Sequence, residues 1–402
     1  MKKYLSLHSI NLSIILALFL SSCAAQPEFQ IVKRCSSFLP ERGEYPGTIA
    51  YQDSWVYDWQ PVFAVNADLP SPFVIYKTSK YTKIDYSVLR SPDGTMLLMK
   101  ESFIPTGYDA GFFLFSPSDR KVIVEYDVAR NGMVSGLRNS SWVVDKNEVI
   151  MEGGNGSGLP GYQILDLATS QFHSYFPDWG VFPRRSSYAL EFNPKGDVAL
   201  LRTYLSPSAK PGAKYTDEHD HHLMLWDLRD DKPLWFLSRD ELSVVSYDSV
   251  QWMPDGEQAV VNAILEMDEY YGFIQSDLFL LDRNKEFFRI TNFASVREAV
   301  WTFVISPDGK YIAVTTKEEE DQYKSHLYIL DMSTRQAWDT CFPGLSYRSD
   351  MIWAPDSGFF MFFHGFGESK SLPYGWNILN IKTNEVFKVL DIGKEIIGWT
   401  IP

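Results

Sequence analysis

The chain has 402 residues, 45% of them hydrophobic and 15% aromatic, enough for a large core in one big domain or two. A formal net charge of −14 argues against a nucleic-acid partner, because phosphate binding wants a basic face. Three cysteines are too few for a disulfide-built scaffold.

The first residues read as an address. Lys2 and Lys3 precede an unbroken apolar run, Ile14 to Leu20, too short to span a bilayer comfortably. The run ends in "LSSC", Leu20 to Cys23, which resembles a bacterial lipobox. The resemblance implies that residues 1–22 are a lipoprotein signal peptide and that Cys23 carries the lipids. Several acyl chains on one residue would hold a soluble domain to a membrane. An ordinary secretory signal cut nearby, or a plain membrane anchor, is the simpler alternative. Ala24 follows in place of the aspartate that would signal inner-membrane retention. The expected place is the cell envelope: outer membrane or periplasm in a diderm host, cell surface in a monoderm. Residues 23–46 read as a lipid-anchored linker, and 47–402 as the folded domain.

Strand-like runs begin with Thr48–Gln52, Val62–Asn66 and Phe73–Thr78. A tight-turn motif then recurs: "SPDG" at Ser91–Gly94, "NPKGD" at Asn193–Asp197, "MPDG" at Met253–Gly256, "SPDG" at Ser306–Gly309 and "APDSG" at Ala354–Gly358. Apolar residues precede each one and a β-rich run follows. Proline presets φ, Asp caps the turn through its side chain, and Gly supplies positive φ, so each reads as a hairpin.

A second signature follows each hairpin: an apolar run that stops at a short Asx-forming residue. Its members are Asn66, Ser116, Asp166, Asp227, Asp282, Asp331 and Asn380, at intervals of 50, 50, 61, 55, 49 and 49. A period of this size, with four strands per unit, marks an all-β fold, the β-propeller, and seven members predict seven blades. The first blade lacks a preceding hairpin. Its innermost strand is expected from the other end of the chain, "IIGWTIP", Ile396 to Pro402, which resembles "DMIWAP" and "DSVQWMP". A C-terminal strand in the N-terminal blade would close the ring and remove both edges.

Lipobox, "SPDG" hairpins and "LYILDMST"-type strands together resemble TolB-like and dipeptidyl-peptidase-IV-like propeller repeats. The resemblance covers Thr48 to Pro402. It is specific for fold and weak for function: such repeats occur in periplasmic interaction proteins, in propellers attached to peptidases and in some lyases. A TolB protein also carries an N-terminal α/β domain and usually six blades, whereas only Ala24 to Pro46 precedes the ring here.

Lettering strands A to D from the centre outward, length varies between strands B and C. Loops that grow on a constant scaffold are where recognition usually sits. These loops hold Tyr108 and Asp109, His219 and His221, and Tyr270 and Tyr271, the candidate binding face for a protein, peptide or glycan. "DEHDHH", Asp217 to His222, is the sharpest local signal. Its histidines could bind a metal if another blade supplied a further ligand; a solvated loop is the simpler reading. "KEEED", Lys317 to Asp321, reads as a solvated loop.

Hydrolase chemistry has no visible motif. "GNGSG" puts Asn155 where the first glycine of a G-x-S-x-G elbow must be. "GGNGSGLPG" lacks the lysine and the helix of a phosphate loop. Trp252, Trp353 and Trp399 are expected in the core between blades. Cys35 and Cys341 remain beside Cys23. They form a disulfide tying the N-terminal segment to the ring, or stay as two buried thiols. No catalytic residue, cofactor or metal site is assigned. Two functions stand: a non-enzymatic binding propeller on the envelope, and a metal-assisted enzyme such as a polysaccharide lyase, the latter resting on the histidine loop alone.

Overall fold

A computed structural model describes residues 28–41, 43–53, 61–68, 71–78, 82–84, 88–103, 109–126, 140–154, 160–175, 187–204, 222–237, 241–244, 250–267, 274–318, 325–343, 351–364 and 374–401. They form seven sheets, and the core of each is an antiparallel blade of one ring.

Every column residue is the last residue of a strand C: Pro61–Asn66, Asp109–Ser116, Pro160–Asp166, His222–Asp227, Ile274–Asp282, Ser325–Asp331 and Gly375–Asn380. The reason is the turn each one begins. The Asp331 carboxylate accepts the backbone N–H of Ser333 at 2.9 Å and of Thr334 at 3.1 Å. Asp166, Asp227 and Asn380 do the same for the amides two and three residues further on. The chain then passes through positive φ at Ser170, Asp231, Arg335 and Asn384 and starts strand D. Burial alone would raise the Asp331 carboxyl, but bonds from Ser333 and Thr334 outweigh it and hold it below the usual carboxylate range.

The expected hairpins are present. Gly94, Gly196, Gly256 and Gly309 take the positive φ of the turn. In "APDSG" it is Ser357 that does so, at φ 61, and not the glycine after it. Blade 3 has a turn that carries no proline, between Ser141–Val143 and Glu148–Gly154, with Asp145 at φ 68. The A–B and C–D turns share one face, because the first residue of strand B pairs with the last of strand C: Val198 with Asp227, Gln258 with Asp282, Tyr311 with Asp331, Phe359 with Asn380. Arg283 also binds across this face. It donates to both oxygens of Asp197, at 2.9 and 2.8 Å, joining blade 5 to blade 4. Burial alone would raise the Asp197 carboxyl, yet Arg283 and Asn193 hold it below the usual range.

The ring closes as expected. Lys394–Thr400 is strand A of the first blade and pairs antiparallel with Thr48–Asp53, Trp399 opposite Ile49. Seven apolar clusters fill the seven spaces between neighbouring blades. The cluster between the last and first blades joins Met361, Trp376 and Ile378 to Ile49, Val65 and Trp399. The three tryptophans named from sequence pack in these spaces, and each indole finds an acceptor. Trp252 donates to Glu191 O at 2.8 Å, Trp353 to Val304 O at 3.1 Å and Trp399 to Pro46 O at 2.7 Å.

The segment expected as a linker supplies two more strands. Gln30–Lys33 lies parallel to strand D of blade 6, Gln30 opposite Gln336. Ser37–Leu39 lies parallel to strand D of blade 7, Ser37 opposite Glu385. Of the two readings left open for Cys35 and Cys341, the structure has the disulfide, with Cα atoms 4.8 Å apart. It sits where this strap crosses from one blade to the next, beside Asn384, whose amide donates to Cys35 O at 3.1 Å.

Candidate binding face

With both kinds of short turn on one face, every B–C connection leaves from the other. Cys23, Tyr108, His219, His221, Tyr270 and Tyr271 lie outside the described residues. Asp109 is the first residue of its strand C, opposite Ser102 after a break in register, so its backbone stands at the long-loop face. The "KEEED" stretch is described only to Glu318, its lysine and first glutamate being the last residues of a strand.

The described strand ends below these loops carry paired polar and aromatic groups. In blade 1, Gln52 donates to Glu395 Oε2 at 3.1 Å and Lys394 bonds Asp53. Between blades 1 and 2, Tyr76 on the outer strand Phe73–Lys77 donates its phenol to Glu101 at 2.8 Å; burial, then the carboxylate, push that phenol well above its usual range. In blade 6, Glu318 meets the His326 ring at 2.8 Å. Deeper in the same blade, Glu298 accepts from Tyr328 at 3.0 Å and from Thr316. In blade 7, Tyr374 is half exposed and stacks on the buried His364 ring, centroids 5.6 Å apart. Behind the blade 5–6 connection, the fully buried Asp277 accepts from Thr291 Oγ1 and Phe293 N, each at 2.7 Å, and so fixes that chain segment.

Trp301 is the residue that sequence reasoning missed. It lies on the channel-lining strand Glu298–Ile305, at a break in register between Val300 and Thr302, and is 43% exposed. The Lys317 ammonium sits 3.1 Å from its ring centroid, and burial pulls that ammonium down from its usual range. Nothing in "EAVWTFVI" marks the bulge, because an apolar run without alternation does not say which residue faces out. The arrangement offers aromatic surface with carboxylates and the ammonium groups of Lys317 and Lys394 at the long-loop end of the blades. Among the described residues no three His, Cys, Asp or Glu side chains stand together as a metal site.

No family model matches the sequence, and no curated protein matches it. The structure is similar to an oligogalacturonate lyase in complex with manganese, with TM-score 0.54 and 13% identity over 87% of this chain and 85% of that one. It is similar to a prolyl endopeptidase, with TM-score 0.53 and 10% identity over 87% of this chain and 49% of that one. The chain is a β-propeller. TolB from Acinetobacter baumannii overlays with TM-score 0.42 and 15% identity, covering 73% of this chain and 63% of that one. This chain spans about half of the endopeptidase's length and less than two thirds of TolB's. At these identities the likeness is one of fold.

Proposed function

We propose that this chain is a lipid-anchored envelope protein whose propeller binds a protein, peptide or glycan through its long-loop face. The observation that carries the reading is the division of the two faces. One is closed by short turns capped through Asp, Asn and Ser side chains and by cross-blade bonds such as Arg283 to Asp197. The other takes every connection of variable length. A scaffold that is constant on one side and variable on the other is how loops are held for recognition. The paired carboxylates and aromatic rings at that mouth suit a polar partner with some apolar surface.

The Cys35–Cys341 disulfide supports export, since such bonds persist in oxidising compartments. The anchor itself rests on the lipobox resemblance. Cys23→Ser is expected to give an unlipidated protein that leaves the membrane fraction. A variant that still sediments with membranes as the wild type does would place the anchor elsewhere.

The metal-assisted reading keeps His219 and His221 as its only support, because the likeness to a lyase extends to fold alone. A stoichiometric metal in the purified protein, lost on replacing both histidines, would favour it.

A further inference from the structure

Arg90 stands at the centre of the ring, at the short-turn end of the channel. It is the last residue of the innermost strand piece Leu89–Arg90, directly before the Ser91–Gly94 turn. Its Nη1 donates to Trp353 O at 2.9 Å, on the innermost strand of blade 7, and lies 3.5 Å from Trp399 O, on that of blade 1. One guanidinium therefore ties the inner strand of its own blade 2 to those of blades 7 and 1. The turn that follows Arg90 is close-packed. A Cβ on Gly94 would come within 2.7 Å of Pro355, and Ile401 N donates to Gly94 O at 3.0 Å. Burial pulls the Arg90 pKa down, to about 10.

This cation faces no anion among the described residues. Among the described residues both of its partners are carbonyl oxygens, and none is a carboxylate. The chain carries 51 acidic side chains against 37 basic ones, so acids were available to pair with it. A partly desolvated cation with only dipoles around it is costly to hold, and a mobile anion would offset that cost. The carbonyls occupy Nη1. The opposite edge of the fork, Nε and Nη2, has no partner among the described residues, and it is the edge that takes an oxyanion through two parallel N–H···O bonds.

We propose that the channel binds one small oxyanion, a carboxylate or a phosphate, on the Nε–Nη2 edge of Arg90. The site is at the opposite end of the channel from the long-loop face and does not depend on what that face binds. An anion there would complete the contact among blades 7, 1 and 2, where the ring closes on its own C-terminal strand. Filling the site should therefore stabilise the closure.

The test uses the full-length protein, dialysed into chloride buffer, with sodium malonate or sodium phosphate added at constant ionic strength. Calorimetry should show one site per chain, and Tm should rise to a plateau as either anion fills it. Arg90→Gln keeps a donor for Trp353 O but no charge, and should show neither the heat nor the plateau. Arg90→Lys keeps the charge and loses the fork, so malonate should bind it at least about tenfold more weakly. If Arg90→Gln does not fold, the lysine variant carries the comparison. A wild type that gives no heat with either anion overturns the proposal. So does a Tm that rises equally in wild type and variants, as it would from a general salt effect with Arg90 serving only as a latch.

Discussion

Deleting Ile396–Pro402 is expected to unfold the ring, not merely to shorten its end. The seven residues include most of the innermost strand of blade 1. They pair with Thr48–Asp53 and supply Trp399 and Ile397 to the clusters on both sides of that blade. Trp399 is 1% exposed, and its indole donates to Pro46 O. Truncating a buried tryptophan to alanine costs about 3–5 kcal/mol by itself. The deletion also exposes a row of unpaired backbone groups on the strand Thr48–Asp53 and removes the Ile401 bond to Gly94. Net stabilities of about 5–15 kcal/mol do not survive that sum. Size-exclusion chromatography should show aggregate, and circular dichroism should show no cooperative melt near that of the full chain. Trp399→Ala should fold and melt at a lower temperature. A truncated protein that melts like the intact one would remove the closure from the account.

Breaking the Cys35–Cys341 bond should have the second largest effect. Its two cysteines are 306 residues apart, so it constrains most of the unfolded chain. Disulfides typically contribute about 2–4 kcal/mol. Cys35→Ser with Cys341→Ser should lower Tm, and reductant should bring the wild type to the same value. The damage should begin at the strap. Gln30–Lys33 and Ser37–Leu39 are short outer strands, while Phe29, 3% exposed, stays inserted between blades 5 and 6. Limited proteolysis should therefore cut the double variant near Cys35 before it cuts the ring. A wild type indifferent to reductant in both assays would show the bond to be dispensable.

The repeat was legible because each blade states its geometry locally. An Asx or Ser side chain at the end of strand C captures its own backbone, and a Pro-Asp-Gly turn presets its dihedrals, so both signals survive wherever the blade sits in the ring. Even the C-terminal strand was legible, since Trp399 repeats the place of Trp353 and Trp252. Blade 3 hid its hairpin because its turn reaches positive φ at Asp145 without proline or glycine. The strap was missed for another reason. Gln30–Lys33 and Ser37–Leu39 pair with strands 306 and 348 residues away, and no local pattern announces a partner at that distance. Arg90 was silent too: its place at the centre of three blades follows from ring closure, which "VLRSPDG" does not encode. Of the candidate binding residues, the fold places the backbone of Asp109 at the long-loop face, and Tyr108, His219, His221, Tyr270 and Tyr271 lie outside the described residues.

Site-specific photocrosslinking in intact cells tests the division of faces most directly. One probe replaces Tyr108 or Tyr270 on the long-loop side. Another replaces Lys232 or Lys310, exposed lysines beside the short turns whose ion pairs contribute little to folding. A common adduct is expected from both long-loop positions and none from the two lysines. An adduct formed from Lys232 and Lys310, with none from Tyr108 and Tyr270, would contradict it.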